Sequence, residues 1–159
     1  MSATFSRPKN NLAWRAGRKG VSRTEAVARA DGKVEEIRAE SLAYIDANLE
    51  SLTRLMAAAA VEPPSIEKLY DAGAAIADTA GVFGLAPMGR AAHSLCELLS
   101  QFEQAGCWKP EPVQLHVSAL LVLRRGPASD SDPAAEKLLK DLSLMLAHLT
   151  SRLQAGGPL

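Results

Sequence analysis

Three histidines, His93, His116 and His148, and two cysteines, Cys96 and Cys107, are the side chains best suited to nucleophilic, acid–base or metal chemistry. His93 has Glu97 four residues on, a spacing that sets imidazole and carboxylate on one helix face. One such pair is more often a surface contact than half of a metal site. The cysteines lie eleven positions apart with no Cys-x-x-Cys and no histidine pair beside them, which indicates neither a zinc site nor a disulfide framework. No GxSxG places a serine on a nucleophile turn, and no GxxxxGK[ST] or GxGxxG offers a phosphate cradle. Glu35-Glu36 and Asp130/Asp132 read as solvated faces or loops rather than catalytic dyads. The expectation is a protein that is not an enzyme, with no cofactor, no metal and no small-molecule substrate.

A chain of 159 residues, 47% apolar and 23% charged, can bury one core. Formal charge is zero but unevenly placed. Residues 1–33 hold eight Lys/Arg against Glu25 and Asp31, a net of +6, so the rest carries −6. No apolar run approaches the roughly 18 residues of a membrane span, and the N-terminus lacks the apolar stretch of a secretory signal. A soluble, cytoplasmic protein with no membrane contact is expected. Residues 1–33 read as a basic, largely disordered arm with a short helix at Arg23–Ala30, and 34–155 as one helical domain.

Apolar positions recur at three- and four-residue spacing through five segments. The first, Val34–Ala60, sets Val34, Ile37, Ile45, Leu49, Leu52 and Met56 on one stripe and ends at Pro63-Pro64. Ser65 can cap the second, Ile66 to about Ala80, whose inner stripe is Ile66, Leu69, Gly73, Ile76 and Ala80. Gly81 and Gly84 break it, and Pro87 suits the first turn of the third, Met88–Ala105. The third presents Met88, Ala91, Ala92, Leu95, Leu98, Leu99 and Phe102; "GCWKPEP" is a turn. Val113–Arg125 and Ala134–Leu153 complete the set, the last with Leu138, Leu142, Met145, Leu146, Leu149 and Leu153 inward. No segment alternates at period two. The fold class is all-α, an antiparallel up-down helical bundle with a four-helix core and an additional C-terminal helix. That fifth helix either completes the bundle or pairs with a second copy, so monomer and homodimer both stay open.

The stretch "YDAGAAIADTAGVFGL", Tyr70–Leu85, followed by "APMGRAAHSLCELLSQFE", Ala86–Glu103, resembles histidine phosphotransfer (HPt) domains, including the phosphotransfer domain of chemotaxis histidine kinases. Those domains carry A-H-x-L-K-G-x-A-G-x-F-G-hydrophobic, then a helix of the form A-H-x-L-E-x-L-L. Ile76 stands for the leucine, Thr79-Ala80-Gly81 for the small residues and Val82-Phe83-Gly84-Leu85 for the closing turn. The resemblance spans about residues 34–125. In its register the phosphate-accepting histidine is replaced by Ala74, the lysine by Ala77 and the small glycine by Asp78. Alanine has no nucleophile, the cation that steadies transferring charge is gone, and Asp78 would repel an anionic phosphoryl group.

The resemblance therefore implies an HPt-like signalling module of a bacterial two-component, phosphorelay or chemotaxis pathway that binds a response-regulator receiver domain or a histidine kinase without carrying phosphate. The docking face it implies is Asp71, Ala74, Ala75, Ala77 and Asp78, and it requires Ala74 to face outward. A displaced acceptor at His93, in "AAHSLCELL", is the alternative, although Cys96 and Glu97 follow it where lysine and glycine belong. Nucleic-acid or membrane-surface binding by the basic arm ranks last, because only Phe5 and Trp14 interleave aromatic rings with its cations.

Overall fold

The computed structural model describes residues 21–59, 63–126 and 132–155, and every regular element among them is helical. In chain order these are α1 (Arg23–Ala58), α2 (Ile66–Ala80), a 3-10 turn (Gly81–Phe83), α3 (Ala86–Ala105), α4 (Pro110–Arg125) and α5 (Pro133–Gln154). No strand occurs among the described residues. The chain divides into two units, residues 1–37 and 38–159. The described part of the first is the beginning of α1, whose residues are all exposed.

Local sequence accounts for the helix ends. Ser65 Oγ accepts the Lys68 N–H at 3.3 Å and opens α2. Asp132 does the same for α5, its Oδ1 accepting from the Ala134 N–H at 3.0 Å. Prolines occupy the first turns of α3, α4 and α5, where a missing N–H costs nothing. This is why α4 begins at Pro110 rather than Val113: "PEP" reads as a turn, yet both prolines fit the opening of a helix.

In the second unit α3 is the central element, touching α2, α4 and α5. It buries Met88, Ala91, Ala92, Leu95, Leu98, Leu99 and Phe102, the full stripe expected of it. The α1 residues Ile45, Leu49, Leu52 and Met56 enter the same core, with Leu69 and Ile76 from α2, Val113, Val117 and Leu120 from α4, and Leu139, Leu142 and Leu146 from α5. Trimming any of these large side chains to alanine is expected to cost about 2–5 kcal/mol. Leu139 is an addition to the expected α5 stripe. With Leu142 and Leu146 it makes α5 part of this core.

Polar ties lie around the apolar centre. Asp46 of α1 accepts two bonds from the Arg124 guanidinium of α4, at 2.7 and 2.9 Å. Arg90 pairs with Glu136 between α3 and α5, and Thr150 donates to Gln101 Oε1 at 2.7 Å.

Two expectations need correction. Helical structure begins at Arg23 and runs unbroken through Gly32 to Ala58, so no helix start lies at Val34. Val34 and Ile37, read as core, are 57% and 45% exposed; the buried stripe of α1 starts at Ile45. Residues 1–20 of the basic arm lie outside the described residues, as do Ala60 and Asp130.

Candidate functional site

The helix pair α2–α3 is built on small residues. A Cβ added at Gly73 would stand 3.1 Å from Cys96 Sγ and 3.6 Å from Leu95 Cδ2, so glycine there lets α3 come close. Gly89 on α3 answers it: a Cβ there would meet Ala77 O at 3.6 Å and Ala80 Cβ at 3.7 Å. Ala80 and Ala92 are buried at the same approach, and Ala72 is buried beside Gly73 in sequence. Burial of these small side chains brings the two backbones together and fixes which face of α2 is left over.

The turn between the helices follows from "AGVFGL". Gly81–Phe83 tighten into one 3-10 turn, and Gly84 closes it at φ 72°, a left-handed conformation that an L side chain enters at a cost of about 1 kcal/mol. Leu85 donates its N–H to Ala80 O at 3.1 Å and is buried, pinning the turn to the core. Inside α2, Thr79 returns its hydroxyl to Ala75 O at 2.8 Å.

The face left over holds the expected residues. Asp71 and Asp78 are exposed, while Ala74, Ala75 and Ala77 are half-buried, with Ala77 packed against the core edge. Position 74 is thus neither interior nor fully outward. Two carboxylates border a low, small-residue surface that offers close approach but no nucleophile and no cation.

The reactive side chains are scattered. His93 is exposed on α3, next to Ala92, whose carbonyl oxygen lies 3.9 Å from the place of a Gly73 Cβ. His148 is exposed on α5. His116 is fully buried on α4: its Nδ1–H donates to Pro112 O at 2.9 Å, which leaves Nε2 to accept the Ser94 hydroxyl at 3.0 Å. Burial holds its pKa below the usual 6.5, against a smaller opposite effect of the Pro112 hydrogen bond. This imidazole is a core tie between α3 and α4. Its signal lay in the spacing of Val113, His116, Val117 and Leu120, which share one face.

Cys96 is equally unsuited to chemistry. Burial, and secondarily the Asp78 charge, push its thiol up to about 11, and its S–H rests on Tyr70 O at 3.8 Å. No group of three or more His, Cys, Asp or Glu could hold a metal ion among the described residues. A recess of about 90 Å³ opens where the 3-10 turn meets the end of α4 and the start of α5, lined by Leu85, Met88, Val122 and Leu138. It is well below the roughly 300 Å³ of a typical small-molecule site.

Three cations of the basic arm are described, Arg23, Arg29 and Lys33. Arg29 pairs with Glu25 and Lys33 with Glu36, each at 2.7 Å along the helix. No described helix is long and apolar enough to cross a membrane.

Comparison of the chain with protein-family models, with curated proteins and with solved structures gave no match.

Proposed function

We propose that this chain is a degenerate histidine phosphotransfer-like module that docks a response-regulator receiver domain or a histidine kinase in the cytoplasm and carries no phosphoryl group itself. In this reading α1 to α4 form an antiparallel up-down four-helix core, and α5 is an added helix laid on α3 and α4. The observation that carries it is the α2–α3 junction. The glycine-closed turn at Gly84 and the close pairing at Gly73 fit the scaffold that "AGVFGL" implies, while the half-open position on α2 where that scaffold keeps its imidazole is Ala74.

The chemistry supports binding over transfer. A face of Ala74, Ala75 and Ala77 lets a partner helix approach to backbone contact, and Asp71 and Asp78 at its border favour a partner with basic groups there. Nothing on that face can form a phosphoramidate or steady a phosphoryl group in flight.

The test uses purified chain with receiver domains of the same organism, free and phosphorylated. Saturable binding, weakened at least tenfold by Ala74→Arg or Ala75→Arg and without transfer of label, is the expected result. Stable, acid-labile label on the chain would reject a non-transferring role. One observation favours a second reading: His93 is exposed and sterically available. Label lost on His93→Ala would establish it as a displaced acceptor.

A further inference from the structure

The exposed beginning of α1 carries an apolar seam. Val27, Ala30, Val34, Ile37, Ser41 and Tyr44 follow one another at alternating spacings of three and four residues, the repeat of a helix that pairs with another helix. Val27, Val34, Ile37 and Tyr44 are 52%, 57%, 45% and 54% exposed, and Gly32, the weakest helix former, sits on the opposite side of the repeat. A row of β-branched and aromatic side chains in water is a surface that a partner would cover.

The charges beside the seam identify the partner. Asp31 and Arg38 flank one edge, Lys33 and Glu40 the other, all exposed. We propose that this seam pairs with the same seam of a second copy, antiparallel. In that arrangement Val27 of one copy faces Tyr44 of the other, Ala30 faces Ser41, and Val34 faces Ile37, each layer occurring twice by symmetry. The same register sets Asp31 opposite Arg38 and Lys33 opposite Glu40, four attractive contacts in all. A parallel pair would instead place Lys33 against Arg38 on both sides, like charges at the positions that choose orientation. Lys33 already holds Glu36 within its own helix, but that exposed pair is worth little and gives way to a better one. The seam uses no residue of the α2 face, so the proposal stands whether or not a receiver docks there.

Sedimentation of the full chain across the micromolar range tests it. A reversible dimer is expected. Val34→Glu should raise its dissociation constant on the order of 100-fold, since two carboxylates enter the seam, with helical circular dichroism unchanged. Arg38→Asp should weaken the dimer, and Asp31→Arg with Arg38→Asp should restore it. A wild-type chain that stays monomeric, or a dimer indifferent to Val34→Glu, overturns the proposal. So does a dimer strengthened by Arg38→Asp alone, the mark of a parallel pair. Removing residues 1–20 should leave the dimer in place; dimerisation appearing only after their removal would show that the chain's own N-terminal segment occupies the seam.

Discussion

Ser94 Oγ lies 3.0 Å from His116 Nε2, and this bond joins α3 to α4 inside an otherwise apolar core. The donor order is set by chemistry: the Pro112 carbonyl can only accept, so the imidazole proton is on Nδ1, and Nε2 takes the serine hydroxyl. A neutral ring satisfies both bonds. No buried side-chain N or O among the described residues lacks a partner.

Stability should therefore fall in mild acid. The unfolded chain protonates His116 near 6.5, while burial holds the folded value lower. Between the two values the unfolded state binds more protons, so stability rises with pH there. The contribution is complete above 6.5 and is lost progressively as pH falls from 6.5 through the folded pKa. Urea midpoints measured across this range should slope for the wild type and flatten for His116→Gln. Equal slopes in both would rule His116 out as the cause.

Ser94→Ala leaves a buried acceptor without its donor and should cost about 1–3 kcal/mol. Replacing both partners, Ser94→Ala with His116→Leu, should recover much of that loss, because the buried imidazole nitrogen that lost its donor is then gone as well. Chemical denaturation of these two variants and of His116→Leu alone reads this directly. Losses that simply add would show that the two side chains do not act as a pair.

The α2–α3 approach can be probed at Gly73. Gly73→Ala gains about 1 kcal/mol of helix propensity but drives a methyl to 3.1 Å from Cys96 Sγ. A net loss of about 1–2 kcal/mol is expected from overpacking, relieved by Cys96→Ala in the same chain. The thiol gives an independent readout. With its pKa pushed to about 11, Cys96 should resist thiol reagents at neutral pH in the wild type and react in Gly73→Ala if the seam opens. Unchanged stability and protection would mean that the Cys96 side chain makes room for the methyl without the helices moving apart.

Much of this architecture was legible because it is local. The Ile66–Ala80 helix was bounded by a capping serine and by Gly81 and Gly84; the serine caps as expected, and Gly84 closes the turn that follows. The α3 stripe was complete because a helix covered by three neighbours buries every apolar position of its face. The α1 stripe was overread for the converse reason: periodicity shows that Val34 and Ile37 share a face, but not what covers it. "PEP" hid the start of α4, since proline marks turns and helix openings alike. At the candidate face the residue types were readable, but partial burial of Ala74, Ala75 and Ala77 depends on how closely Gly73 brings α3. His116 was visible as a histidine but not as a tie, because Ser94 is twenty-two residues away.

The HPt-like register makes one demand that no generic helical module would meet. If Ala74, Ala77 and Asp78 stand where histidine, lysine and glycine belong, then Ala74→His, Ala77→Lys and Asp78→Gly together should create a phosphate acceptor. The imidazole would project from a half-buried position toward solvent. The lysine stem would lie along the core edge with its ammonium outward, beside the incoming charge. Glycine at 78 would remove the repelling carboxylate, at about 1 kcal/mol of helix stability. On mixing with a phosphorylated receiver, the imidazole attacks phosphorus as the aspartyl carboxylate leaves, and label on the chain should be acid-labile and base-stable. Ala74→His alone should label more slowly, lacking the cation. A triple variant that folds, still binds the receiver and takes no label would show that position 74 does not face the partner's phosphoryl group, and the register would fall with it.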